Sequence, residues 1–190
     1  STRVDLNNGI SMPLLGLGVY QMNDEQVQVA IDAALDTGYR LIDTASFYGN
    51  EPGVGKALRS AQIDRSEIFV TTKVWNADQG YDETLRAFDT SMGNLGLDVL
   101  DLYLVHWPVA GKYLDTWRAL EHLYKEGRVR AVGVSNFLVE HLADRARHSD
   151  FVPVLNQIEF HPHLQQPALL KYCADRQIQV QAWSPLMQGQ

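Results

Sequence analysis

One unit recurs along the chain: a short run apolar on both faces, a polar turn, an amphipathic helix, and a tight turn into the next apolar run. Runs such as IFVTT (68–72) and DLYLVH (101–106) lack the alternation of a strand with one wet face. Strands buried on both sides belong to a parallel sheet covered by helices. Seven strands are expected, over Leu14–Gly18, Tyr39–Asp43, Ile68–Lys73, Leu100–His106, Val129–Ser135, Val152–Glu159 and Ile178–Trp183. Helices are expected to begin near Asp24, Glu51, Asp82, Leu114, Leu138 and Gln166.

In the first helix Val27, Val29, Ala30, Ile31, Ala34 and Leu35 largely follow a 3.6-residue period. Asp24 is placed to cap its start and Gly38 to close its end. Upstream, Asn8-Gly9 between two short alternating segments signals a two-residue hairpin, a lid for a barrel floor. No linker, low-complexity tract or composition break divides the chain, so residues 1–190 read as one domain. The fold class is α/β, a (β/α)8 TIM barrel with an N-terminal β-hairpin, of which seven of eight strands are present. An unclosed barrel leaves two bare sheet edges. The native polypeptide is therefore expected to continue past Gln190 by about 60–100 residues, supplying the eighth strand.

Lys and Arg number 16 against 23 Asp and Glu, a net charge of −7, and no long basic run occurs. That balance excludes the electrostatic footprint of a nucleic-acid or membrane-surface binder. The single cysteine, Cys173, excludes an intrachain disulfide framework and reads as inert helix packing. The start STRVDLNNG lacks the features of a signal peptide, and nothing approaches the roughly 18 consecutive apolar residues of a membrane span. A cytoplasmic monomer acting on a small molecule is expected.

Asp43, Tyr48, Lys73 and His106 stand at or just after the ends of the second, third and fourth strands. In a parallel β/α barrel those ends converge on one rim, so an acid, a phenol, an amine and an imidazole share one mouth. Alone, each has an ordinary explanation: a turn-forming Asp, a half-buried Tyr, an ion-paired Lys, a structural His. Together they make an acid–base device. A free phenol, with pKa about 10, is a poor acid near neutrality. A nearby ammonium lowers that value and a carboxylate holds the ammonium in place. Tyr48, Lys73 and Asp43 suit those roles, and His106 suits hydrogen bonding to a carbonyl oxygen. Side chains cannot supply hydride, so a nicotinamide cofactor is implied.

The segments GLGVYQ (16–21), GYRLIDTASFYGNE (38–51), TTKVWN (71–76), DLYLVHWP (101–108), VGVSNF (132–137), LNQIEFHP (155–162) and AWSPL (182–186) together resemble the aldo-keto reductases over the whole chain. The short VAGKYLDTW stretch after the fourth strand is similar to microbial diketogluconate and prostaglandin F synthase-type members. The resemblance implies that Asp43, Tyr48, Lys73 and His106 are the catalytic tetrad, with Tyr48 as proton donor. It also implies that Ser135, Asn136 and Gln157, with Asp43, hold the nicotinamide. Trp183 would stack on the ring, Ser184 and Leu186 would begin the loop over the pyrophosphate, and Tyr20, Phe47, Trp75 and Trp107 would line the substrate pocket. NADPH/NADP is the implied cofactor, with NADH as the alternative, because the groups that read the 2′-phosphate lie after the seventh strand. The implied activity is reduction of aldehydes and ketones. The same fold also resembles potassium-channel β subunits and some lens crystallins, which leaves a catalytically silent nicotinamide-binding protein as the competing function.

Other signals are weaker. EPGVGKAL (51–58) lacks the preceding strand and third glycine of a dinucleotide fingerprint. His161 and His163 flank Pro162 in a His-x-His pair, but no further ligands stand at other strand ends, so no metal is expected.

Overall fold

The computed structural model describes residues 2–187. A two-stranded antiparallel ribbon, β1 (Arg3–Asp5) and β2 (Ser11–Pro13), precedes a seven-stranded sheet. The sheet strands are β3 (Leu17–Gly18), β4 (Leu41–Asp43), β5 (Phe69–Val74), β6 (Leu100–Val105), β7 (Val129–Ser135), β8 (Leu155–Glu159) and β9 (Gln179–Trp183). They are parallel and lie in chain order. Between them run α1 (Asp24–Asp36), α2 (Glu51–Ser60), α3 (Tyr81–Leu95), α4 (Tyr113–Lys125), α5 (Val139–His148) and α6 (Pro167–Asp175).

The sheet is curled. β4 and β8 are four strands apart, a separation of about 19 Å in a flat sheet, yet Gln157 Nε2 on β8 donates to Asp43 Oδ2 on β4 at 2.7 Å. Curling divides the core in two. The outer layer packs α1–α6 on the sheet through residues such as Ile31, Phe88, Trp117 and Leu142. The inner one gathers Leu41, Phe69, Leu102, Leu104, Ala131 and Leu155 with Leu6 and Met12 of the hairpin, which lies across the N-terminal end. Every residue of β5 and β6 is buried, as strands covered on both faces require, and their polar members Thr72, Lys73 and Asp101 are hydrogen-bonded.

The seven expected strands are all present, five of them beginning later than expected. β3 begins at Leu17, not Leu14, because Leu14 N–H continues the hairpin by donating to Thr2 O, and Leu14 and Leu15 are exposed. β8 begins at Leu155, after Pro153, which has no N–H to donate. The hairpin has a three-residue loop rather than two: Leu6 N–H bonds Ile10 O, and Gly9 takes φ +82° alone. Asn7 and Asn8 instead tie the hairpin to the floor, donating to Pro153 O, Gln177 O and Arg130 O. Asn23, not Asp24, caps α1, in a reciprocal box with Gln26. Asp24 Oδ1 accepts from Gly53 N–H at 3.2 Å. A Cβ at Gly53 would meet Asp24 and one at Gly55 would meet Leu95 O at 2.5 Å, so these glycines serve helix packing.

Candidate active site

Asp43 ends β4, Lys73 is the penultimate residue of β5, and His106 follows directly on β6. Tyr48 ends a single 3-10 turn, Ser46–Tyr48, released into α2 by Gly49 at φ +69°. Parallel strands thus bring the four expected groups to one rim. The Lys73 side chain is 1% exposed and donates to the Asp43 carboxylate, to Thr44 O at 3.0 Å and to the Tyr48 hydroxyl oxygen at 3.4 Å. Because Lys73 is the donor, the phenol proton is free to point elsewhere.

Electrostatics follow from burial. Burial pulls the Lys73 ammonium towards neutrality, but Asp43 and then Tyr48 outweigh it, and its pKa is raised. Burial raises the Tyr48 phenol above its ordinary value, and the pull of Lys73 in the other direction is too small to reverse this. The sequence-based expectation of a net lowering is therefore corrected: the ammonium acts in the expected sense but desolvation is larger. His106 is pushed down to about 3, by burial first and Lys73 second, so its imidazole is neutral. Its Nδ1 is buried without a hydrogen-bond partner among the described residues. An unfilled acceptor is tolerated better than an unmade N–H donor, which places the ring proton on Nε2.

His106 is held by its neighbours. Its carbonyl accepts from Asn136 Nδ2 at 3.1 Å, and the carbonyl of Trp107 accepts from Gln79 Nε2 at 2.6 Å. Phe47 and Trp75 stack at 3.8 Å, Trp75 meets His106 edge-on at 5.1 Å, and Tyr20 lies 5.0 Å from Tyr48. Tyr20, Phe47 and Trp75 therefore do gather at the rim. No ring pairing joins Trp107 to them among the described residues; its ring is half exposed.

A polar network occupies the ends of β7, β8 and β9. Ser135 Oγ donates to Gln157 O at 2.9 Å and accepts from Asn136 Nδ2. Trp183 Nε1 donates to Asn136 Oδ1 at 2.9 Å. Gln157 Nε2 donates to Asp43 Oδ2 and to Gln181 Oε1 at 2.8 Å. Ser135, Asn136, Gln157 and Trp183 are thus one cluster contiguous with the tetrad. Ser184, at φ +49°, and Leu186, 82% exposed, stand in the loop beyond β9, outside it.

Three participants escaped sequence reasoning. Thr44 supplies the carbonyl that holds Lys73. Asn50 accepts from Thr44 Oγ1 and donates to Val19 O and Met22 O, binding the β3 and β4 loops together. Gln181 lies opposite Gln157 in register; a polar residue two before Trp183 in a mostly apolar run was the available signal. His161 Nε2 pairs with Glu159 at 2.9 Å, and no group of three or more His, Cys, Asp or Glu suited to a metal occurs among the described residues. Cys173 is buried and its thiol pushed up by burial, away from reactivity.

A curled parallel β/α sheet with this carboxylate, ammonium, phenol and imidazole on its C-terminal rim defines an oxidoreductase of the β/α-barrel class. The chain belongs to the aldo/keto reductase family, whose model matches residues 14–190. It is 55% identical over 99% of its length to an uncharacterized oxidoreductase, YtbE, and 53% identical over 98% to a glyoxal reductase, both of Bacillus subtilis. It spans 69% and 68% of those two relatives. The crystal structure of an aldo/keto reductase from Brucella melitensis superposes with TM-score 0.96 at 49% identity, covering 98% of this chain and 73% of that one. A mutant of Gox0644 in complex with NADPH gives 0.94 at 46% identity, covering 100% and 69%. Seven strands of that eight-stranded barrel fold are present among the described residues. Among the described residues no helix is long and apolar enough to cross a membrane.

Proposed function

We propose that the protein reduces aldehydes and ketones to alcohols with NADPH, NADH being the lesser alternative, and that Tyr48 donates the proton. The carrying observation is the Tyr48 hydroxyl, 3.4 Å from a buried ammonium and beside a neutral His106. The nicotinamide, when bound, supplies hydride to the carbonyl carbon. His106 Nε2–H orients the carbonyl oxygen by hydrogen bonding. Tyr48, kept protonated by burial, gives its proton to that oxygen as negative charge develops there, and Lys73 stabilises the phenolate left behind. Asp43 keeps Lys73 charged and in place.

The donor set supports a nicotinamide. An amide needs both donors and acceptors, and Ser135, Asn136 and Gln157 carry hydroxyl and amide groups side by side at the rim. Gln157 spends its amino group on Asp43 and Gln181, while its Oε1 has no donor among the described residues. That oxygen suits a carboxamide N–H. Trp183 provides a flat face for the ring, and Ser184 and Leu186 the start of a loop over the pyrophosphate. The complex of Gox0644 with NADPH supports the same cofactor.

Tyr20, Phe47, Trp75 and Trp107 form an apolar, half-exposed approach that suits short carbonyl compounds, and the similarity to a glyoxal reductase supports that class. We read residues 1–190 as one barrel domain acting as a cytoplasmic monomer. The test is a panel of short aldehydes and ketones with NADPH and NADH, following nicotinamide absorbance. Turnover of a short carbonyl faster with NADPH supports the function; binding of NADPH without turnover of any carbonyl supports a silent cofactor-binding protein instead.

A further inference from the structure

We infer that Gln181 is a positioning residue that locks the Asp43-bound Gln157 amide in the orientation that presents Oε1 to the cofactor site, and so sharpens the site's preference for a ligand bearing a carboxamide. The inference rests on the nicotinamide function proposed above.

An amide side chain can be turned over with almost no change of shape, so its chemical polarity is decided by its neighbours. For Gln157 the neighbours leave one choice. A carboxylate only accepts, so the group at 2.7 Å from Asp43 Oδ2 is the amino group. An amino group carries two hydrogens, and the second is received by Gln181 Oε1 at 2.8 Å. Gln181 in turn presents its oxygen, since its own amino group there would set donor against donor. The three residues form a directional chain from Asp43 through Gln157 to Gln181, across β4, β8 and β9.

Its consequence lies at the far end of Gln157. With both amino hydrogens engaged, Oε1 is left to accept from a ligand, and the residue cannot donate to one. Asp43 alone holds one hydrogen and leaves the amide free to swing about that bond. Gln181 removes the freedom. It sits in register with Gln157 on a neighbouring parallel strand and two residues before Trp183, so its side chain shares the inward face with the proposed ring-stacking residue. The Gln181 bond also withholds the second hydrogen from water or substrate.

The substitution Gln181→Met keeps length and packing but has no acceptor. Gln181→Glu keeps an acceptor at the same reach. The probes are NADP and its acetylpyridine analogue, which replaces the carboxamide by a methyl ketone and has equal charge, so the ratio of their dissociation constants isolates the amide. Fluorescence titration on the unsubstituted protein should show NADP favoured over the analogue. Gln181→Met should shrink that preference about fivefold, the worth of one hydrogen bond, with the melting temperature held. Gln181→Glu should retain it. A preference unchanged in Gln181→Met, or lost equally in Gln181→Glu, overturns the role of Gln181 and leaves the proposed function standing. No saturable binding of NADP to the unsubstituted protein overturns both.

Discussion

The Lys73 ammonium stands 3.4 Å from the Tyr48 hydroxyl and 5.1 Å from the centre of its ring, so one buried cation addresses both the edge oxygen and the face of the same phenol. Removing the hydroxyl while keeping the ring tests the proton-donor role. Tyr48→Phe should lower carbonyl reduction by about 10²–10⁴-fold, the usual worth of a general acid, with cofactor affinity within a few-fold. Turnover and fluorescence titration on one preparation check this; a variant keeping more than about half the activity excludes Tyr48 as the acid.

Lys73→Met should cost both stability and rate. Breaking a buried pair strands Asp43 without its cation, worth roughly 3–5 kcal/mol, visible in denaturant unfolding. The phenol also loses the charge that opposes its upward shift. Any alkaline limb of the residual pH–rate profile should therefore move to higher pH, and a limb that stays put or moves down contradicts the pairing of Lys73 with Tyr48.

His106 makes stability depend on acid. Its folded pKa is about 3 against 6.5 for the free side chain, so between those values the unfolded chain holds a proton that the folded chain does not. Stability then rises with pH through this window and is lost as pH falls below 6.5 towards 3. His106→Gln should flatten that part of the curve measured by chemical denaturation at pH 6.5 and at pH 4.5 (two points within the window). Equal slopes for the two proteins would mean that His106 does not titrate abnormally.

Trp183→Ala removes an aromatic face and also the indole N–H on Asn136. Cofactor binding should weaken by about 0.5–1.5 kcal/mol for the lost stacking, and titration should quench less fluorescence, with the other three tryptophans as internal reference. Unchanged affinity and quench would place Trp183 away from the nicotinamide.

Local patterns were legible where their causes are local. The lack of polar alternation in β5 and β6 specified strands buried on both faces, and the 3.6-residue spacing of Val27, Ile31, Ala34 and Leu35 specified the buried side of α1, whereas Val29 of the same expected set faces solvent. Boundaries were less so: Asn23 beat Asp24 to the cap because Gln26 could close the reciprocal box, and the hairpin gained a residue because Asn7 and Asn8 bond to the floor. These choices depend on partners distant in sequence or on single hydrogen bonds, which periodicity does not register.

By itself the sequence determined a parallel β/α sheet and sent Asp43, Tyr48, Lys73 and His106 to one rim, since all parallel strands point the same way and their ends share an edge. Only the tertiary structure decided what those groups do to each other. The curl brings Gln157 onto Asp43 across 114 residues of chain, and with it the directional chain to Gln181. Burial decided the sign of the Tyr48 shift, because the desolvation of a phenol depends on everything packed around it and the attraction of Lys73 on one distance alone.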